Sequence, residues 1–321
     1  MKENYIYQVA RIRCHELKLL TKTDMDTLMN SNSFDNCLRF LFDKGIGSGS
    51  EKSLEDILKY EDEKLWNFMK ELIKDLSAFN VLLYPIDYNN LKAAIKSSVT
   101  EGVVKSVFKS GGTINCDLLE KAVKDNDFSK IPKEMQEPAK NAYQTLLQTR
   151  DGQLCDMILD KACLESIMSH GKNSDDLLVK DYAELFVAIS NIKIALRCQK
   201  TKKSLEFIKN SLVDCSTLDI NKLANSATKG FDEILKVLSF TKYSDCTEFI
   251  KESNSAFEKC CDNKIMTLIK KQKTNPFTIG PLIAFVLARQ NEMSAIKIIL
   301  SGKHNNLDDD MIRERLRDMY V

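Results

Sequence analysis

Proline and glycine are the scarce residues of this chain, five and eleven in 321. Both interrupt regular backbone. Their shortage, beside abundant Leu, Lys, Ile, Asp and Glu, argues for a chain dominated by helix, so the expected fold class is all-α. An excess charge of one sign is missing too: 47 basic residues face 46 acidic ones, a net +1. Nothing in that balance asks for nucleic acid or an anionic membrane as partner, although local patches stay open. The longest nearly uncharged apolar run, Phe277 to Ala288, is far below the ~20 residues that span a bilayer. The expectation is a soluble protein with no direct membrane insertion.

Signatures of chemistry are lacking as well. His15, His170 and His304 are scattered, without a second histidine or cysteine at ligand spacing, which argues against a zinc site. The ten cysteines contain no CxxC pair, and the chain opens without an apolar signal segment, so reduced cytosolic thiols are expected. Cys260 and Cys261 are adjacent on a predicted helix and point about a hundred degrees apart, which suits core packing for at least one of them. No Walker sequence, nucleophile elbow or dinucleotide fingerprint appears. The glycine-rich Gly45 to Ser53 has no preceding strand and no GK[ST] ending, and reads as a flexible linker. Asp175 with Asp176, and Asp308 to Asp310, read as helix starts rather than general acid/base pairs. No catalytic, cofactor or metal residue is assigned.

What is present is clearest at the C-terminal end. Pro281 suits a first helical position. Leu282, Phe285, Val286, Met293, Ile296, Ile299 and Leu300 then recur at helical spacing, and Gly302 is placed to end the helix near Ser301. The half from Leu282 to Ala288 is apolar all round and should be the more buried. The half carrying Arg289, Glu292 and Lys297 should be surface. A second helix follows, with Asp308 as N-cap, a staple of Leu307 and Ile312, and Arg313, Arg315 and Arg317 further along.

Earlier in the chain, helices are expected over about Tyr5–Leu20, after a cap at Asp24, over Phe34–Phe42 and over Ser53–Leu83, with Trp66 as a core anchor. Pro85 should break the pattern and Asp87 to Asn90 open the next helix. Ile131 to Pro138 reads as a loop before a helix at about Ala139–Gln148. Met157–Met168 and Tyr182–Arg197 should be helices separated by a turn around His170, Gly171 and Asn173. Phe231–Phe240 and Cys246–Ile269 continue the pattern, and Lys270 to Lys273 mark the last linker.

The chain also repeats itself. NLKAAIK at Asn90–Lys96, NIKIALR at Asn191–Arg197 and AIKIILS at Ala295–Ser301 lie roughly a hundred residues apart, too far for a solenoid. Each is followed by an apolar residue, a capping residue and an apolar residue four beyond the cap: Ile114, Asn115, Leu119; Leu218, Asp219, Leu223; Leu307, Asp308, Ile312. A further echo links Leu28–Leu41 with Leu223–Leu238. It suggests that the N-terminal helices complete a unit whose other half lies elsewhere, with the C-terminus as the expected place.

PLIAFVLARQNEMSAIKIILSGK, the ending RERLRDMYV, DYNNLKAAIK at Asp87–Lys96 and ARIR at Ala10–Arg13 resemble the C subunit of the bacterial and archaeal V-type (A-type) ATP synthases, the relative of the d subunit of vacuolar ATPases. Weaker similarity covers essentially the whole length. The resemblance implies three similar helical lobes about a pseudo-threefold axis forming a funnel, here 84–180, 181–275, and 276–321 together with 1–83. It further implies a non-catalytic central-rotor subunit. Such a subunit would sit on the cytoplasmic face of the proteolipid ring, peripheral to the membrane, and receive the central stalk to transmit torque for proton or sodium transport. Many family members carry a shorter turn in place of the glycine-rich segment. Lys92, Lys193 and Lys297 hold equivalent repeat positions, with Lys96 and Arg197 as a second, incomplete set; they are the candidate interaction residues, against the alternative of solvated helix flanks. A helical scaffold binding partner helices in a groove remains the other reading, and an enzyme without a metal the third.

Overall fold

The computed structural model describes residues 4–31, 33–51, 53–99 and 108–321, and among them every regular element is helical: sixteen α-helices and no strand. Backbone contacts divide the chain into two units. One comprises the described residues of Met1–Leu76, Asp176–Leu178 and Asp245–Val321; the other comprises those of Ser77–Asp175 and Val179–Ser244.

The first unit is built on α15, Gly280–His304. Around it stand α1 (Ile6–Glu16), α2 (Lys22–Met29), α3 (Phe34–Asp43), α4 (Leu54–Leu72), α14 (Asn254–Lys270) and α16 (Asp309–Arg315), with α13 (Cys246–Glu252) against α14. The first half of α15 is buried on all sides, as its uninterrupted apolar sequence requires. In its second half only one face is buried. Ile296, Ile299 and Leu300 there meet Leu28, Met29, Leu41 and Ile57 from the N-terminal helices, each fully buried aliphatic contributing about 1.5–3 kcal/mol.

Several boundaries differ from the sequence reading. Gly302 does not end α15. It lies inside the helix, where a Cβ would collide with Ile312, so its role is close packing, and the left-handed residue is Asn306 (φ 52°). Thr21, rather than Asp24, caps α2; Asp24 returns the bond to the Thr21 N–H, completing a capping box. Helix α1 stops at Glu16 instead of Leu20 because Leu20 turns inward to meet α15. The single helix expected over Cys246–Ile269 is two, since Ser253 takes an extended backbone and caps α14 with a bond from Ala256 N–H. Lys271–Thr274 is a 3-10 turn continuing α14 rather than a linker. Trp66 is buried, and Cys260 and Cys261 both are. Within Gly45–Ser53, Lys52 lies outside the described residues, as does Asn32 within the Leu28–Leu41 echo.

The second unit contains α5 (Asn80–Val99), α6 (Cys116–Lys124), α7 (Lys133–Thr149), α8 (Gly152–Asn173), most of α9 (Leu177–Lys200), α10 (Leu205–Ser211), α11 (Ile220–Lys229) and α12 (Phe231–Leu238). Helix α8 packs on α5 and α7. Pro85 and Pro138 do not break the chain here. They sit in the second turns of α5 and α7, and each helix passes through. A proline there forfeits one backbone bond and costs about 3 kcal/mol. Burial of Val81, Leu83, Tyr88 and Leu91 in α5, and of Met135, Ala139 and Ala142 in α7, outweighs it. His170, Gly171 and Asn173 lie in the last turn of α8, and the turn falls at 174–176 instead. Asp176 accepts from Leu178 N–H, the helix-start role expected of it.

Candidate functional site

The three repeated segments fall on three of the long helices, α5, α9 and α15. What the repeat encodes in the first two is a side-chain clamp. Asn90 donates from Nδ2 to the carbonyl of Lys109 (2.9 Å) and accepts from the same residue's N–H (2.8 Å). Asn191 does the same to Val213, at 2.7 and 3.0 Å. Both asparagines are buried, and each satisfies the N–H and C=O of one residue; for Asn191 the partner, Val213, is itself buried, so those two backbone groups are ones water cannot reach. A carboxylate from the same long helix then fixes the entry to the capped short helix. Asp87 accepts from the N–H and Oγ1 of Thr113, two residues before the α6 cap Asn115. Glu184 accepts from the N–H and Oγ1 of Thr217, two residues before the α11 cap Asp219.

The third copy departs from this plan. Ala295 stands where the asparagines do, and Asp308 makes no side-chain cap bond at the start of α16. Glu292, three residues before Ala295 as Asp87 is before Asn90, turns elsewhere: it accepts from Leu20 N–H at 2.5 Å and from Arg289. Arg289 also reaches Glu61 of α4 at 2.5 Å, and Glu61 accepts from Gly47 N–H (2.8 Å) and Lys64 (3.0 Å). Two carboxylates and two cations thus sum to zero charge, with both glutamates almost wholly buried. The expectation that the Arg289–Glu292 half is surface therefore fails at these two residues. The Gly45–Ser53 segment is tied to this cluster through Gly47 rather than free. At φ 85° and with a Cβ position against the Phe42 ring, Gly47 is required.

Electrostatics follow from burial. Burial alone would raise Glu61, but the Gly47 N–H and the Arg289 guanidinium outweigh it and hold its carboxyl below the usual range. For Glu292, burial wins over Arg289 and the Leu20 N–H, and its carboxyl is raised. Beside the cluster lies a cavity of about 400 Å³ whose lining includes His15, Lys18, Lys44, Lys64, Phe68 and Phe285. His15 stacks on Phe68 with ring centroids 4.0 Å apart. Burial, then the fields of Lys18, Arg11, Lys64 and Arg289, lower its pKa.

The candidate cations divide into two groups. Lys92 and Lys96 of α5 pair with Asp160 (2.7 Å) and Asp156 (2.6 Å) of α8. Lys193 and Arg197, one turn apart on α9, are exposed. Lys297 is exposed on α15 and edges a groove formed with Leu58, Asp62 and Met293. Among the described residues no ion pair forms at these last three. Sequence reasoning missed Glu61, Arg289 and Glu292 as a buried cluster; the only available signal was the acid at the repeat position of Asp87.

Against known proteins the chain matches, over residues 8–315, the family described as ATP synthase (C/AC39) subunit. It is 20% identical over 317 residues to the C subunit of the V-type sodium ATPase of Enterococcus hirae, covering 96% of this chain and 97% of that one. It is 25% identical over 354 residues to the C subunit of the A-type ATP synthase of Methanocaldococcus jannaschii, covering 97% of this chain and 86% of the relative. The corresponding protein of Desulfurococcus sp. is 25% identical over 333 residues, with 97% and 90% covered. With all but a few residues at each end inside the match, the chain belongs to the ATP synthase (C/AC39) subunit family.

Proposed function

We propose that this chain is a non-catalytic subunit of the central rotor in a V-type or A-type ATPase, linking the central stalk to the membrane proteolipid ring and transmitting torque for proton or sodium transport. The observation that carries the reading is the match over residues 8–315 to an ATP synthase subunit family, with relatives aligned nearly end to end. Among the described residues no helix is long and apolar enough to cross a membrane. The chain meets the membrane through the ring, on the cytoplasmic side, and the ring sets which ion moves.

A torque-bearing part needs stiffness, and the buried charges and amide clamps supply it within each unit. It also needs two broad faces, since a single ion pair slips. The reading carries three related helical lobes, 84–180, 181–275, and 276–321 with 1–83, about a pseudo-threefold axis with a funnel for the stalk. Lys193, Arg197 and Lys297 are the cations offered to acidic groups of the stalk, with Lys92 and Lys96 held back by Asp160 and Asp156. The test is co-purification of the tagged chain from native membranes in mild detergent. Recovery of a small proteolipid together with stalk subunits is expected. Recovery of the chain alone, with the ATPase assembled without it, overturns the reading in favour of a scaffold that binds partner helices.

A further inference from the structure

Cys246 opens α13 and Cys260 lies in the second turn of α14. The two helices fold back on each other at Ser253, and the Sγ atoms come to 2.9 Å, closer than two unbonded sulfurs ordinarily rest. Both side chains are buried, Cys246 at 1% and Cys260 at 9% exposure. An ion pair between Lys264 Nζ and Asp245 (2.7 Å) stands beside them, Lys264 one turn after Cys260 and Asp245 directly before Cys246. The ten cysteines all carry free thiols.

We propose that Cys246 and Cys260 are a redox-responsive pair that closes to a disulfide between α13 and α14 on reaction with a low-molecular-weight disulfide. Cys260 is the attacking sulfur, because it is the more exposed and the Cys246 S–H can donate to it. Burial raises both thiols; on Cys260 the Cys246 hydrogen bond acts in the opposite sense, and of the adjoining ion pair Asp245 raises it while Lys264 lowers it. In the first step Cys260 thiolate displaces one thiolate from the small disulfide and forms a mixed disulfide. In the second, Cys246, giving up its proton, attacks Cys260 Sγ and expels the other thiolate. Two protein thiols are oxidised, one small disulfide is reduced to two thiols, and the balance closes. The staple would lock α14, which holds the C-terminal segment through Asp262 to Arg317 (2.8 Å) and Asn263 to the Asp318 N–H (2.9 Å).

The experiment incubates the full chain with oxidised glutathione, alkylates remaining thiols in denaturant, and maps linked peptides by mass spectrometry. The expected result is a loss of two thiols from the ten in the sequence, with the Cys246–Cys260 linkage at least tenfold above any other pair and reversed by dithiothreitol. Cys260→Ser should lose none, while Cys261→Ser, a change one residue away, should still lose two. The wild-type map alone decides the matter should either variant fold poorly. Both thiols remaining open to alkylation, or glutathione joining other cysteines such as exposed Cys14 in preference, overturns the proposal.

Discussion

Arg289 is the residue on which the first unit's polar interior depends, since its guanidinium serves both Glu61 and Glu292. Arg289→Leu leaves two buried carboxylates facing each other, and breaking a buried pair this way costs about 3–5 kcal/mol. A thermal scan should register a fall on the order of 10 °C. Asn191→Ala strips the partners from the buried N–H and C=O of Val213, at about 1–3 kcal/mol each; its urea midpoint should fall well below that of Lys193→Ala, an exposed change on the same helix. Two histidines contribute a loss of stability toward acid pH, which the raised carboxyl of buried Glu292 opposes. His15 and His170 both have lowered pKa values, burial being the first cause in each. A depressed folded value means stability is intact above the ordinary 6.5 and is lost as pH falls through the folded values. Between pH 7.5 and pH 5 the melting temperature of the wild type should therefore fall relative to that of the His15→Gln, His170→Gln variant, measured side by side. Glu61 adds a loss of the same sign only below about 4.5, its ordinary value.

At the scale of the element, caps separate helices that define their own ends from those placed by packing. Thr21→Ala removes a capping box and should cost about 1 kcal/mol. Asp308→Ala, at a cap position whose side chain makes no cap bond, should cost only a few tenths of that through the helix dipole; paired denaturation curves check the contrast. Helix type was readable along most of the chain because apolar spacing of three and four reports which face is buried. Ends were less readable. Pro85 and Pro138 look like stops in isolation, and only the continuous apolar face across each of them, paired with α8, says otherwise. Gly302 looks like a stop until Ile312 is seen against it.

For the whole molecule, the family match makes assembly the measurable property. Reversing Lys193, Arg197 and Lys297 together to glutamate should weaken recovery of stalk subunits with the tagged chain, most at low salt. Stability should stay nearly unchanged, since the three are exposed. Lys92→Ala and Lys96→Ala should each remove an ion pair worth about 0–1 kcal/mol and leave recovery near wild type. An equal loss from both sets of variants would remove the distinction drawn between paired and unpaired cations.

The sequence by itself determined the helical class, the position of α15 and the recurrence of Asn90 and Asn191, because spacing and residue type are local quantities; it did not place α4 and α5, which end at Leu72 and begin at Asn80 respectively, where one helix over Ser53–Leu83 was expected. It also carried the family likeness in the residues from Pro281 onward. Tertiary structure alone decided that Glu292 and Arg289 are interior, that Lys92 and Lys96 are already paired, and that Cys246 meets Cys260. Each of those outcomes depends on a partner lying 14 to 272 positions away, and no local pattern encodes which distant side chain will answer a charge or a thiol.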